Sequence, residues 1–303
     1  MKRFLSLILI ALLALSCTAC AEEYVVTASA PNGAPALALA MLAVENPDRF
    51  TFVAAETISA EFANQNSDFI IAPLNAGAKL YKAGKSTYKL AGVVSWGNLY
   101  IASQKEGFTL EDLNGATVVL FGENTINASV VKYTLEQNGI VPAEIQYLGS
   151  AANTQSLLLT DPNAIVVTAE PALTAAQMKN PAITAYAVND LYKAATGYDG
   201  YTQAALFVKA ETAQQHPEAV KAFIAAVAAS CDQATTDVDA VASAAVTLEI
   251  LPNEKVAVKA IPGCAVRFMG AAEAREQIEF TANIDLSQFG GALPADDFYY
   301  VAE

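Results

Sequence analysis

Histidine is all but absent from this chain. The single copy, His216, stands directly before Pro217, at the start of a long helical pattern, and no nucleophile is spaced to pair with it. Hydrolases of the Ser-His-Asp or Cys-His type need a histidine to take the proton of the nucleophile. One isolated histidine at a surface helix start speaks against that chemistry. Basic residues are scarce too: 17 Lys and Arg stand against 31 Asp and Glu, a net charge of −14. Such a chain repels nucleic acid and anionic lipid headgroups and offers no basic stripe to either, so no nucleic-acid partner is expected. There is no P-loop and no GxGxxG after a strand, no internal repeat and no low-complexity tract. Cys-x-x-Cys occurs only as Cys17 and Cys20, close to the start of the chain, where a zinc site is not expected. Neither a metal nor a cofactor is predicted, and Asp296-Asp297 reads as a solvated tail rather than an acid pair.

What is present begins with an ordered leader. Met1-Lys2-Arg3 is basic, Phe4 to Leu15 is apolar, and the small residues and two cysteines of SCTAC follow. Charged, apolar, small is the layout of a secretory signal, and the run falls short of the ~20 apolar residues of a membrane span. Residues 1–20 are therefore read as a lipoprotein signal peptide. Cys20, preceded by Thr18-Ala19, is the preferred acylation site, and Cys17, preceded by Leu15-Ser16, is the alternative. Acyl chains contribute about 0.8 kcal/mol per buried methylene, so several on one cysteine tether a soluble domain. The expected location is the outer face of the cytoplasmic membrane. Beyond the leader, 15 basic residues face 31 acidic ones, a net −16. Cys231 and Cys264 could pair in an oxidising compartment or stay as buried thiols; sequence gives no distance between them.

From residue 24 onward, short apolar strands alternate with helical patterns. Strands are predicted at 24–28, 50–54, 68–72, 88–94 and 99–103, with helices at 35–44, 58–65 and 75–83. The rhythm restarts after Lys105-Glu106-Gly107, with strands at 117–121, 144–148, 164–168, 183–188 and 202–208 and helices between them. This βα alternation predicts mostly parallel sheets covered by helices. From Pro217 the pattern is helical, with Val220, Phe223, Ile224, Val227 and Ala228 at helical spacing. A chain of this length tends to split into two lobes. The expected division is residues 21–103 and 207–303 in lobe I, with 104–206 inserted as lobe II. The predicted fold is thus α/β and two-lobed, with two mixed sheets flanked by helices and a hinge between them. Helix starts at the carboxyl ends of the strands would face the cleft.

The candidate site residues sit on the loops between strand ends and helix starts. Asn32, Gly33 and Ala34 lie on the first such loop, where a glycine permits close backbone approach and helix N–H groups can accept an oxygen. Asn75 starts a helix it could also cap. Trp96, the only tryptophan, and Asn98 flank Gly97 near the proposed hinge, where an indole could stack on a flat ligand. In the second block Thr125, Asn127 and Asn153 begin helices. Glu170 ends a buried strand at a helix start, where the macrodipole favours a carboxylate. Tyr198 and Tyr201 precede the return crossing and could close over a ligand. None of these loops carries Lys or Arg, which points to a neutral or amino-bearing ligand with a planar part.

The segments APNGAPALALAML (30–42), DFIIAPLNAGAKLY (68–81), VTAEPALTAA (167–176) and YTQAALFVK (201–209), in that order, carry a likeness, as do CAVRFMGAAEAREQIE (264–279) and FGGALPADDFYY (289–300). The chain resembles the NMT1/THI5-like, nitrate/taurine-type binding proteins of ABC importers. The resemblance implies the two-lobed type II binding fold, ligand capture between the lobes and no catalysis. It also implies, as partners, a small-molecule solute and the permease and ATPase of an ABC importer, with the chain itself a monomer. The ENTIN loop (123–127) departs from the Gly/Ser-rich turn common in that family. Some relatives make a thiamine pyrimidine through a cysteine-rich motif, which this chain lacks. That enzyme reading, and a surface lipoprotein without ligand, are the alternatives.

Overall fold

The computed structural model describes residues 24–301. The predicted signal segment, with Cys17 and Cys20, lies outside the described residues. Strand β1 (Ala28–Pro31) leads through a 3-10 turn (Ala34–Leu39) into α1 (Ala40–Glu45). Then come β2 (Phe50–Val53), α2 (Ile58–Asn64), β3 (Phe69–Pro73), α3 (Leu74–Lys82) and β4 (Tyr88–Ser95). A second block holds β5 (Leu99–Ser103), β6 (Thr117–Phe121), α4 (Ile126–Gln137), β7 (Glu144–Leu148) and α5 (Ala151–Thr160). It continues through β8 (Ile165–Ala169), α6 (Ala172–Lys179), β9 (Thr184–Ala187) and α7 (Val188–Thr196). The chain returns in β10 (Ala204–Lys209), α8 (Ala210–Gln215), α9 (Pro217–Thr236), α10 (Val238–Thr247), α11 (Glu254–Ala260), β11 (Val266–Gly270) and α12 (Ala271–Ile284).

The strands form two mixed sheets. The first has the order β11-β4-β10-β3-β1-β2, the second β7-β6-β8-β5-β9. Within the first, β1, β2 and β3 run parallel while β10 is antiparallel to β3 and β4. Within the second, β6 is parallel to β7 and β8, and β5 is antiparallel to β8 and β9. Helices cover the faces, so the central strands are buried on both sides and read as continuous apolar runs, as Phe69-Ile70-Ile71-Ala72 does. Phe62 and Phe207, both fully buried, meet edge to face at 5.2 Å in the core of the first lobe.

Four local expectations change. Residues 24–27 are not a strand; Tyr24 and Thr27 instead turn polar groups to the Asp68 carboxylate. Tyr24 Oη donates to Asp68 Oδ1 at 2.7 Å, while the Thr27 N–H and hydroxyl donate to Oδ2 at 2.9 and 3.0 Å. Segment 99–103, read as part of lobe I, pairs as β5 with β8, from Leu99 opposite Ala169 to Ser103 opposite Ile165. The outgoing crossing is therefore Trp96–Asn98, and the return ends before Ala204, since Phe207 sits in the middle of β10. Strand β11 went unpredicted, because its five residues lie at a sheet edge without clean alternation of burial. Cys231 and Cys264 are both free and buried. Burial pushes the Cys231 thiol up to about 12 and raises Cys264 as well. They act as small apolar fillers of the first lobe.

The two crossings lie side by side. Asn189, at the start of α7, donates from Nδ2 to the carbonyls of Trp96 and Gly97 at 2.9 and 2.8 Å. Gln203 N–H donates to Ser95 O at 3.0 Å. Gly97 has φ +84°, and a Cβ there would lie 2.4 Å from the Tyr201 ring, so only glycine fits this turn. The packing fixes where the second sheet leaves the first.

Candidate functional site

Parallel strands β1 and β3 of the first sheet and β6 and β8 of the second end at one cleft, of about 480 Å³. Pro31, Pro73, Phe121 and Ala169, the last residues of those strands, all line it. That volume suits a small organic molecule. Helices α3, α4, α5 and α6 begin at its wall, with Ala76, Ile126, Ala151 and Pro171 among the lining residues. Each N-terminus presents unpaired N–H groups and a partial positive charge.

Three of those four ends are already answered by side chains. Thr125 Oγ1 accepts from Ala128 N–H at 3.3 Å and donates to Gly122 O at 2.7 Å. Ser150 Oγ accepts from Asn153 N–H at 3.3 Å. Glu170 Oε2 accepts from Thr174 N–H at 3.1 Å, and Oε1 accepts from the Thr174 hydroxyl at 2.8 Å. Helix α3 has no side-chain cap. Glu170 is 7% exposed. Burial raises its carboxyl above the usual range, against the pull of the two Thr174 donors. Its neighbour Tyr100, chiefly by burial and then by the Glu170 charge, is pushed up to about 12. Among the described residues Glu170 is the sole ionisable one lining the cleft, so none of them offers a cation to an anionic ligand.

The floor of the cleft is an amide network that joins the lobes. Ser95 Oγ donates to Gln203 Oε1 at 2.8 Å, and Gln203 Nε2 donates to Asn98 Oδ1 at 3.1 Å. Asn98 Nδ2 donates to Glu170 O at 2.9 Å, and Glu170 N–H returns a bond to Asn98 O at 3.0 Å. From the second lobe, Asn127 Oδ1 accepts from Tyr201 Oη at 3.0 Å. Such a network is rigid when satisfied. Asn75 departs from that pattern: it lines the cleft, yet its Oδ1 is buried without a hydrogen-bond partner.

Eight sequence candidates thus line one cavity: Asn32, Gly33, Ala34, Asn75, Asn98, Thr125, Asn127 and Glu170. Three do not line it. Trp96 is 2% exposed, its Nε1–H donates to Arg267 O at 2.8 Å, and the Arg267 guanidinium covers the ring at 4.5 Å. The indole is thereby sealed into the crossing and does not face the cleft. Asn153 points its side chain back at its helix cap, where Ser150 Oγ donates to its Oδ1 at 2.8 Å. Tyr198 reaches away to Glu276 Oε1 at 2.8 Å on α12, and packs on Phe280. Tyr201 is wholly buried and serves the floor rather than the mouth. Gln203, Phe121 and Gln288 line the cleft and were not singled out from the sequence. Gln203 had one usable signal: a polar residue directly before a buried apolar strand, at a lobe crossing.

Among the described residues no group of three or more His, Cys, Asp or Glu is placed to hold a metal. No described helix is long and apolar enough to cross a membrane. His216 stacks on Tyr24 at 3.6 Å between ring centroids, beside the Asp68 anchor, and is not among the cleft residues.

Sequence and fold comparisons agree with this architecture. The model of the family described as NMT1/THI5 like matches residues 60–240. The chain belongs to the NMT1/THI5-like family. The match runs from α2 to α10 and takes in most of the cleft. Curated protein sequences give no significant match. Among solved structures, an ABC transporter protein from Parabacteroides distasonis superposes with TM-score 0.79 at 22% identity, over 93% of this chain and 100% of that one. The periplasmic aliphatic sulphonate binding protein SsuA from Escherichia coli gives 0.68 at 14% identity, over 92% of both chains. The zinc-bound ligand-binding component of an ABC-type import system from Staphylococcus aureus gives 0.66 at 12%, over 92% and 97%. This NMT1/THI5-like chain therefore has the periplasmic-binding-protein fold, with its cleft at the strand ends where that fold joins its lobes.

Proposed function

We propose that this chain is the extracytoplasmic solute-binding subunit of an ABC importer, tethered through Cys20 and passing its solute to a membrane permease driven by an ATPase. The observation that carries the reading is the cleft itself: one cavity lined from both sheets and floored by amides that span both crossings. Family membership and the importer proteins among its fold neighbours support it, and the basic, apolar, small-residue sequence of residues 1–20 supports the tether. The ligand is a small organic molecule without strong negative charge, since the described residues of the cleft offer neutral amides, apolar walls and no cation. Phe121, not Trp96, is the aromatic available to a flat ligand. Turnover finds no support: the Glu170 carboxylate is taken up by the two Thr174 donors, and among the described residues no second ionisable side chain lines the cleft.

A thermal-shift screen of the soluble chain over amines, amides, pyrimidines, flavins and sulfonates tests the reading. A true solute at 100 times its dissociation constant stabilises the folded chain by about 2.7 kcal/mol, a rise in Tm of roughly 5 °C for a chain this long. A screen in which no compound of any class moves Tm would remove the proposal.

A further inference from the structure

Resting on the solute-binding reading, the geometry points to a narrower ligand class: an uncharged molecule bearing a carboxamide or lactam, read by Asn75 and the open start of α3. Two observations meet at this position. First, Asn75 Oδ1 is a buried acceptor with no donor, and a buried polar group left unpaired is costly. The other amides at the floor are engaged: Asn98 uses both ends of its side chain, and so does Gln203. Second, α3 is the cleft-facing helix without a side-chain cap. Leu74 N–H is spent on Gln203 O at 3.0 Å, which leaves the first-turn N–H groups of Asn75 and Ala76 without intrahelical acceptors.

An acceptor that wants a donor thus sits beside donors that want an acceptor. An amide supplies both from adjacent atoms: its carbonyl oxygen to the helix start, its N–H to the Asn75 side chain. The terminal torsion of asparagine is soft, so turning the carboxamide toward the cavity is inexpensive. A carboxylate or sulfonate also satisfies the helix start, but it can bond Asn75 only by drawing Nδ2 toward itself, which leaves Oδ1 still without a donor. It would also enter a cleft in which the acidic Glu170 is the sole ionisable residue among those described. Sites built around hydrogen bonds reject the analogue that leaves a buried group unpaired far more strongly than apolar pockets reject a size change.

The test uses matched triads (benzamide, benzoate and benzenesulfonate; hexanamide, hexanoate and hexanesulfonate; nicotinamide, nicotinate and pyridine-3-sulfonate), titrated calorimetrically into the wild-type chain and into Asn75→Leu and Asn75→Asp. The expected result is binding of at least one amide, at least tenfold tighter than both its anionic partners. Asn75→Leu should lose that preference at an unchanged Tm, while Asn75→Asp, which keeps an acceptor at the same place, should retain amide binding better than Asn75→Leu. An anion that outbinds its amide, an amide whose affinity ignores Asn75→Leu, or a series in which no amide binds would each overturn the assignment. If sulfonates or amines from the broader screen still bind, only the amide class falls and the solute-binding reading stands.

Discussion

Gly200→Ala should lower stability by about 3 kcal/mol and weaken binding in the cleft more than tenfold. A Cβ at residue 200 would lie 2.2 Å from the Trp96 carbonyl oxygen and 3.1 Å from Asn189 Nδ2. The first neighbour is backbone, so it cannot swing aside as a flexible side chain would. It is also pinned, because Asn189 Nδ2 donates to that same carbonyl. Overpacking at a rigid contact typically costs 1–3 kcal/mol, and here the loosened Asn189 bond adds to it. The strain falls on the two crossings, so the second sheet should move relative to the first and pull Asn98 and Gln203 out of register. Denaturant unfolding should show a lower midpoint at unchanged slope, and calorimetry should show binding weakened more than tenfold. Wild-type stability and affinity in this variant would mean that the crossings do not set the geometry of the cleft.

Asp68→Asn should destabilise the chain by about 3 kcal/mol at pH 7 and leave ligand affinity unchanged. Asp68 accepts from Tyr24 Oη and the Thr212 hydroxyl at one oxygen, and from the Thr27 N–H and hydroxyl at the other. Its burial alone would raise the carboxyl, but these donors together outweigh that and hold it below its ordinary value. An asparagine replaces one acceptor oxygen by an NH₂ group, so the hydroxyls of Tyr24 and Thr212 must turn from donating to accepting, and every bond at the site loses the charge that strengthens it. A depressed carboxyl contributes stability above its unfolded value of about 3.9, and that contribution disappears as pH falls through the lower folded value. The gap between wild type and variant should therefore be full at pH 7 and narrow below about pH 4, read by denaturant unfolding at both. Asp68 precedes β3, whereas the cleft lies beyond its other end at Pro73, which is why affinity should not follow. A gap independent of pH would place the effect in packing and not in the charge.

The βα alternation that shaped the sequence reading survives in the structure because it reflects burial on both faces of central strands, a demand visible residue by residue. Loop residues at strand ends were legible for the same reason: Asn32, Asn75, Thr125 and Glu170 each stand where a strand stops and a helix starts. The expected residues that the structure does not bring to the cleft share another cause. Trp96, Asn153 and Tyr198 were placed by position along the chain, but their side-chain direction depends on partners far away in sequence, Arg267 for the indole and Glu276 for the phenol. The short edge strand β11 and the sheet membership of β5 were likewise set by tertiary pairing, which local pattern does not encode. Gln203 shows the same limit from the other side. A glutamine before an apolar strand looks like an ordinary boundary until Ser95, Asn98, Asn127 and Tyr201 gather around it.

The central claim is that the two lobes hold a small molecule between them and give it back unchanged. The most direct measurement is calorimetric titration of the strongest compound from the screen, followed by mass spectrometry of the compound recovered after unfolding the chain. The account predicts one site per chain, affinity lost in Gly200→Ala, and a recovered mass equal to the mass added. A recovered compound of altered mass, or binding that persists in full when the crossings are disrupted, would contradict it.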